Sequence, residues 1–139
     1  MTRKEQREAT FELLFEREFR AEESAESIFA LSTENRDIDP IKEKYVKNTF
    51  FGVLENLDEI DDLISRASDG WKVSRLSVAT RSAIRLCVYE MLYCDDIPST
   101  VSINEALELV KKFDDPKSRA FTNGVLNNIK NTLESKNEE

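Results

Sequence analysis

One stretch, Leu76–Cys94 (LSVATRSAIRLCVYEMLYC), limits what this chain can fold into more than any other. Ile84, Cys87, Val88 and Met91 fall at i, i+3, i+4 and i+7, which makes one apolar face of a helix. Leu86, Tyr89 and Tyr93 make a second stripe beside it. A helix with two apolar faces needs two sets of neighbours, so it belongs in the middle of an all-helical domain with the remaining elements wrapped around it. Arg81 and Arg85, four apart, share a face. Glu90 lies between Leu86 and Tyr93, where an unpaired carboxylate is costly, so another element is expected to supply it with a cation or backbone donors.

The rest of the chain carries the same period. A helix is predicted over Arg3–Arg20, with Phe11, Leu14, Phe15 and Phe19 on its apolar stripe, and a short one from Ala25 to Ser32. Thr33 to Asp39 reads as a polar connection. An Asp39 cap with Pro40 at the first helical position opens a third helix, which carries Val46, Phe50, Val53 and Leu54. Ile60, Leu63 and Ile64 mark a helix over Asp58–Ala67, and Trp71 after Asp69 and Gly70 is expected to anchor the two halves. Ser102 and Glu105 have the spacing of a capping box, with Ser102 as the N-cap. The last helix is expected over Lys117–Leu133, burying Val125, Leu126 and Ile129, before a frayed polar tail at residues 134–139. With three glycines, three prolines, 35% charged residues and no alternating β-branched run, the fold class is all-α with about seven helices. At 139 residues the chain is expected to be one domain with its own core.

Much chemistry is excluded at this level. The chain has no histidine, which removes imidazole-activated nucleophiles and histidine-ligated zinc. No glycine-rich phosphate loop or dinucleotide fingerprint is present, and the acids Asp58, Glu59, Asp61 and Asp62 lack the glycine of a calcium loop. Acids in a first helical turn are stabilising without a ligand. No enzyme, metal or cofactor is therefore expected. Cys87 and Cys94, seven apart on one helix, have Cα atoms about 10 Å apart, beyond disulfide reach, and are expected to be reduced thiols. No apolar run approaches a membrane span and no signal-peptide core is present, so the chain is expected to be cytoplasmic and free of membrane.

The net charge of −8 is unevenly spread. Residues 1–21 hold five basic and five acidic side chains, residues 22–70 five and thirteen, and residues 71–133 nine and seven. The two flanking parts can thus present a basic patch on an acidic protein. Arg3, Lys4 and Arg7 crowd the start of the first helix, where cations oppose the helix dipole, and Phe15 follows on the same helix. Lys117 and Arg119 flank Phe121 near the start of the last. Cations meet phosphates and flat rings stack on unpaired bases, which suits single-stranded RNA better than duplex DNA. The plainer alternative, that both rings are core, stays open from spacing alone.

Trp71 to Arg75, VATRSAIRLCVYEM at 78–91, Ile97 and Pro98, VSINEALELVKKF at 101–113 and FTNGVL at 121–126 together resemble the NusB family of bacterial transcription antitermination factors, in the family's order over nearly the whole chain. The resemblance implies two three-helix bundles, an N-terminal one of about residues 1–68 and a C-terminal one of about 74–133. It implies binding to single-stranded boxA RNA together with the small-subunit ribosomal protein that acts as Nus factor E. That complex joins the RNA polymerase antitermination complex on ribosomal RNA operons. Carried over by position, the RNA-binding set is Arg3, Lys4, Arg7, Phe15, Arg81, Lys117, Arg119, Phe121 and Asn123.

The departures point one way. Glu5 and Glu8 interrupt the arginine-rich start, Phe15 stands for a common tyrosine, Thr80 for an acid and Ala120 for a base found in some relatives. Weak RNA affinity without the ribosomal protein is the expectation. The alternatives are a protein–protein adaptor of the same fold without RNA binding, and the RNA-recognition domain of a ribosomal RNA cytosine methyltransferase, for which 139 residues leave no catalytic domain. Oligomeric state is not legible, and a homodimer through the RNA surface stays open.

Overall fold

The computed structural model describes residues 1–138, and among them are seven α-helices and no strand. The all-α expectation holds. The chain divides into two compact units, Met1–Glu55 and the part from Asn56 onward.

The first unit contains α1 (Arg3–Glu18), α2 (Ala25–Asn35) and α3 (Lys44–Glu55), with α1 packed on both others. Thr2 caps α1 through a capping box: its hydroxyl accepts from the Glu5 N–H at 3.1 Å, and the Glu5 carboxylate accepts from the Thr2 N–H at 2.9 Å. Glu5 therefore closes the helix start on which the basic residues sit. Phe11, Ile28, Val46, Phe50 and Val53 are buried, and the Phe29 ring stacks on Phe50 at 5.8 Å. Burial of each such ring contributes about 1.5–3 kcal/mol. Glu16 ties α1 to α2 by accepting from the Ser32 hydroxyl at 2.7 Å.

Two boundaries differ from expectation. Helix α2 runs to Asn35, and Ile38, in the supposed polar connection, is buried. Asp39 and Pro40 open a turn and no helix: the Asp39 carboxylate accepts from the Ile41 N–H at 2.9 Å, and α3 begins only at Lys44. An Asx turn and an Asx N-cap use the same side-chain bond, so the dipeptide does not discriminate between them.

The second unit contains α4 (Leu57–Ala67), a 3-10 turn at Val73–Arg75, α5 (Val78–Tyr93), α6 (Ser99–Phe113) and α7 (Lys117–Glu138). Helix α5 contacts α4, α6 and α7, as its two apolar faces require. Helix α4 packs on α5 and α7, so the division falls at 55/56 and not near residue 68. The buried Ile60, Leu63 and Ile64 give α4 its apolar face, and a two-pronged ion pair joins it to α5: Arg85 Nε and Nη2 donate to the two Asp61 carboxylate oxygens, each at 2.9 Å. Ser102 is not an N-cap. Helix α6 begins at Ser99, and the buried Ser102 hydroxyl donates to Glu90 Oε1 at 2.7 Å. Another element thus does supply a donor to the buried Glu90 carboxylate, and a side-chain hydroxyl is one of its partners. Helix α7 continues past Leu133 through the expected tail, and Glu139 lies outside the described residues. Both cysteines are free thiols.

Candidate nucleic-acid interface

In the first unit, Arg3, Arg7, Phe11, Phe15 and Phe19 recur every four residues along α1. Each step of four turns about 40° beyond a full revolution, so this line of side chains winds slowly around the helix. Its members differ in exposure. Arg7 is only 5% exposed, with its guanidinium 5.9 Å from the Tyr45 ring centroid. Arg3 lies over the same ring at 4.5 Å and stays exposed, donating from Nε to Gln6 at 3.1 Å. Lys4 is exposed and has no ion-pair partner among the described residues. Phe15 is 37% exposed, 6.3 Å from Phe11 and 5.2 Å from Phe19, which is more exposed still. Phe15 is therefore an accessible ring. Arg7 takes a packing position, whereas Arg3 and Lys4 remain available to solvent.

In the second unit, Lys117 and Phe121, four apart on α7, line one groove of about 270 Å³. Phe121 is half-buried and Lys117 is exposed with no ion-pair partner among the described residues. Arg119 and Asn123 form a second pair four apart, on the opposite side of α7 by helical geometry. Both are exposed, and the Asn123 carboxamide oxygen accepts from Asn127 at 3.0 Å. Arg81, on α5, is turned to structural use: its guanidinium donates to the Leu76 carbonyl at 3.0 Å and the Val73 carbonyl at 3.4 Å. It braces the segment that precedes α5.

Asp114, at the end of α6, accepts from the hydroxyls of Ser77 and Thr80, the latter at 2.5 Å. Burial disfavours its charge, but the two hydroxyls and the N–H groups of Asp115 and Thr80 outweigh that and hold its carboxyl below the usual aspartate range. The Thr80 that departs from the resembled pattern thus has a partner here. It ties the start of α5 to the end of α6, and the Asp115 carboxylate next in the chain accepts from the Lys117 N–H at 2.9 Å.

Trp71 and Phe19 lie outside the RNA-binding set that the resemblance implies. Trp71 was expected as an anchor, yet it is 56% exposed, with its ring 6.2 Å from Phe121 within the second unit. No helix among the described residues is long and apolar enough to cross a membrane.

A model of the NusB family matches residues 4–131. The chain belongs to the NusB family. It is 43% identical over 133 residues to the transcription antitermination protein NusB of Bacillus pumilus, covering 96% of this chain and 98% of that one. Among solved structures it is similar to T. maritima NusB, with a TM-score of 0.85 and 39% identity over 93% of this chain and 90% of that one. It is also similar to a chain in the crystal structure of the antitermination factors NusB and NusE in complex with dsRNA, with a TM-score of 0.80 and 27% identity over 93% of this chain and 97% of that one. The NusB fold thus accounts for nearly the whole chain.

Proposed function

We propose that this NusB-family chain is a transcription antitermination factor. It binds boxA-type RNA together with the small-subunit ribosomal protein that acts as Nus factor E, and it joins the antitermination complex of RNA polymerase in the cytoplasm. It works by binding and not by catalysis. The observation that carries the reading, beyond family membership, is the half-buried Phe121 ring beside the unpaired Lys117 at an open groove. A ring with an accessible face and a cation without a carboxylate suit a base and its phosphate. Accessible Phe15, with Arg3 and Lys4 on the same helix, repeats the combination in the first unit. Lys117 and Phe121 are the proposed RNA-facing pair of the second unit, with Arg119 and Asn123 a separate exposed pair on the other side of α7. Arg3, Lys4 and Phe15 are the proposed set of the first, while Arg7 and Arg81 serve packing and bracing within their own units.

The test is a titration of labelled boxA RNA, a scrambled strand and a boxA duplex, each with and without the ribosomal protein. Preference for single-stranded boxA, strengthened by the partner, supports the reading. Equal binding of boxA and scrambled RNA under both conditions overturns it.

A further inference from the structure

The groove beside Phe121 has a second wall that the proposed RNA set does not use. Trp71 and Leu76 add apolar surface to it, and Arg75 adds a second cation to the lining. Indole rings bury large areas when they serve a core, so a Trp more than half exposed beside a cavity leaves a stacking face unoccupied. The Trp71 and Phe121 rings meet at 66°, which makes a corner and not a parallel slot. A flat ligand laid on one ring meets the other with its edge.

The corner is held in shape before any ligand arrives. Asp69 and Gly70 both take left-handed backbone, φ 48° and 88°, turning the chain so that the Trp71 N–H donates to the Ser68 carbonyl at 3.1 Å. Val73 is buried, and Arg81 clamps the Val73 and Leu76 carbonyls. Neither Arg75 nor Lys117 has an ion-pair partner among the described residues. The Asp114 carboxylate is already engaged by the hydroxyls of Ser77 and Thr80, two residues of the groove lining.

We infer that this corner is a nucleotide pocket: one unpaired base of the bound RNA stacks on Trp71 against Phe121, and its flanking phosphates lie on Arg75 and Lys117. The inference rests on the RNA-binding reading and adds Trp71 and Arg75 to it. The pocket volume of about 270 Å³ suits a single nucleotide, and a rigid corner avoids ordering costs on binding.

Trp71 is the only tryptophan of the chain, so its fluorescence reports this corner alone. The experiment titrates single-stranded boxA RNA into the full chain, with and without the ribosomal protein. Binding is followed by anisotropy of the labelled RNA and, separately, by Trp71 emission with the partner's own signal subtracted. The expected result is quenching in step with anisotropy, lost when one particular nucleotide is made abasic. Trp71→Ala should weaken binding about 5- to 150-fold, Trp71→Phe should retain most of it, and Arg75→Ala should lower the log–log salt slope by about 0.7. Unchanged melting of Trp71→Phe guards against a folding artefact. RNA binding at wild-type strength by Trp71→Ala, without quenching in the wild type, overturns the pocket while the RNA reading stands. Quenching by the ribosomal protein alone assigns the corner to protein and also overturns it. No anisotropy change with any RNA removes the RNA reading, and the pocket with it.

Discussion

Replacing Ser102 by alanine tests why α5 tolerates a carboxylate in its buried face. Glu90 and Ser102 are each 1% exposed, so no water can substitute for the hydroxyl that donates to Glu90 at 2.7 Å. A hydrogen bond to a charged group contributes about 1.5–3 kcal/mol, and the loss leaves an acceptor buried with one donor fewer. For a chain of this length the unfolding entropy converts that into a melting temperature lower by roughly 5–10 °C. The assay is thermal unfolding by circular dichroism at pH 7, with Glu90→Gln and the double variant completing the cycle. The two single losses should together exceed the loss in the double variant, because each substitution removes the same bond and the second finds it already gone. A Ser102→Ala chain that melts within about 1 °C of wild type would refute the reasoning.

Two further outcomes follow from the site. Asp114→Asn should lower stability at neutral pH by an amount that shrinks in acid: the folded carboxyl titrates below its unfolded value, so its contribution is whole above about pH 5 and fades as pH falls through the folded value. Melting curves from pH 7 to pH 2 read this difference, and a gap that does not vary with pH would contradict it. Lys4→Ala should leave melting unchanged and flatten the salt dependence of RNA binding by about 0.7 in log–log slope. Arg7→Ala, at a buried position against Tyr45, should instead lower the melting temperature, and the reverse pattern would exchange their roles.

The helical class and the centrality of α5 were legible because two apolar stripes on one segment admit few arrangements. What escaped was long-range. The stripe of Ile60, Leu63 and Ile64 says that α4 buries a face but not against what, and the Asp61–Arg85 pair that attaches it to α5 spans 24 residues. Ser102 and Glu105 match a capping box, yet Pro98 ahead of them lets the helix start earlier and frees Ser102 for Glu90. The capping box that does form, Thr2 with Glu5, was visible in the sequence but hidden among the basic residues around it. At the candidate site, residue type identified cations and rings, but only coordinates separate exposed Arg3 from buried Arg7. The same holds for Trp71, whose chemistry is equally that of an anchor or a stacking platform. Its exposure argues against the anchor, and the titration above tests the platform.

The measurement that bears most directly on the central claim compares wild type with Phe121→Ala in binding boxA and scrambled RNA, in the presence of the ribosomal protein. An accessible ring predicts that the wild type prefers boxA and that the variant loses affinity at least about fivefold with melting unchanged. A variant that binds boxA normally but loses about 3 kcal/mol or more of stability would make Phe121 a core residue and contradict the account.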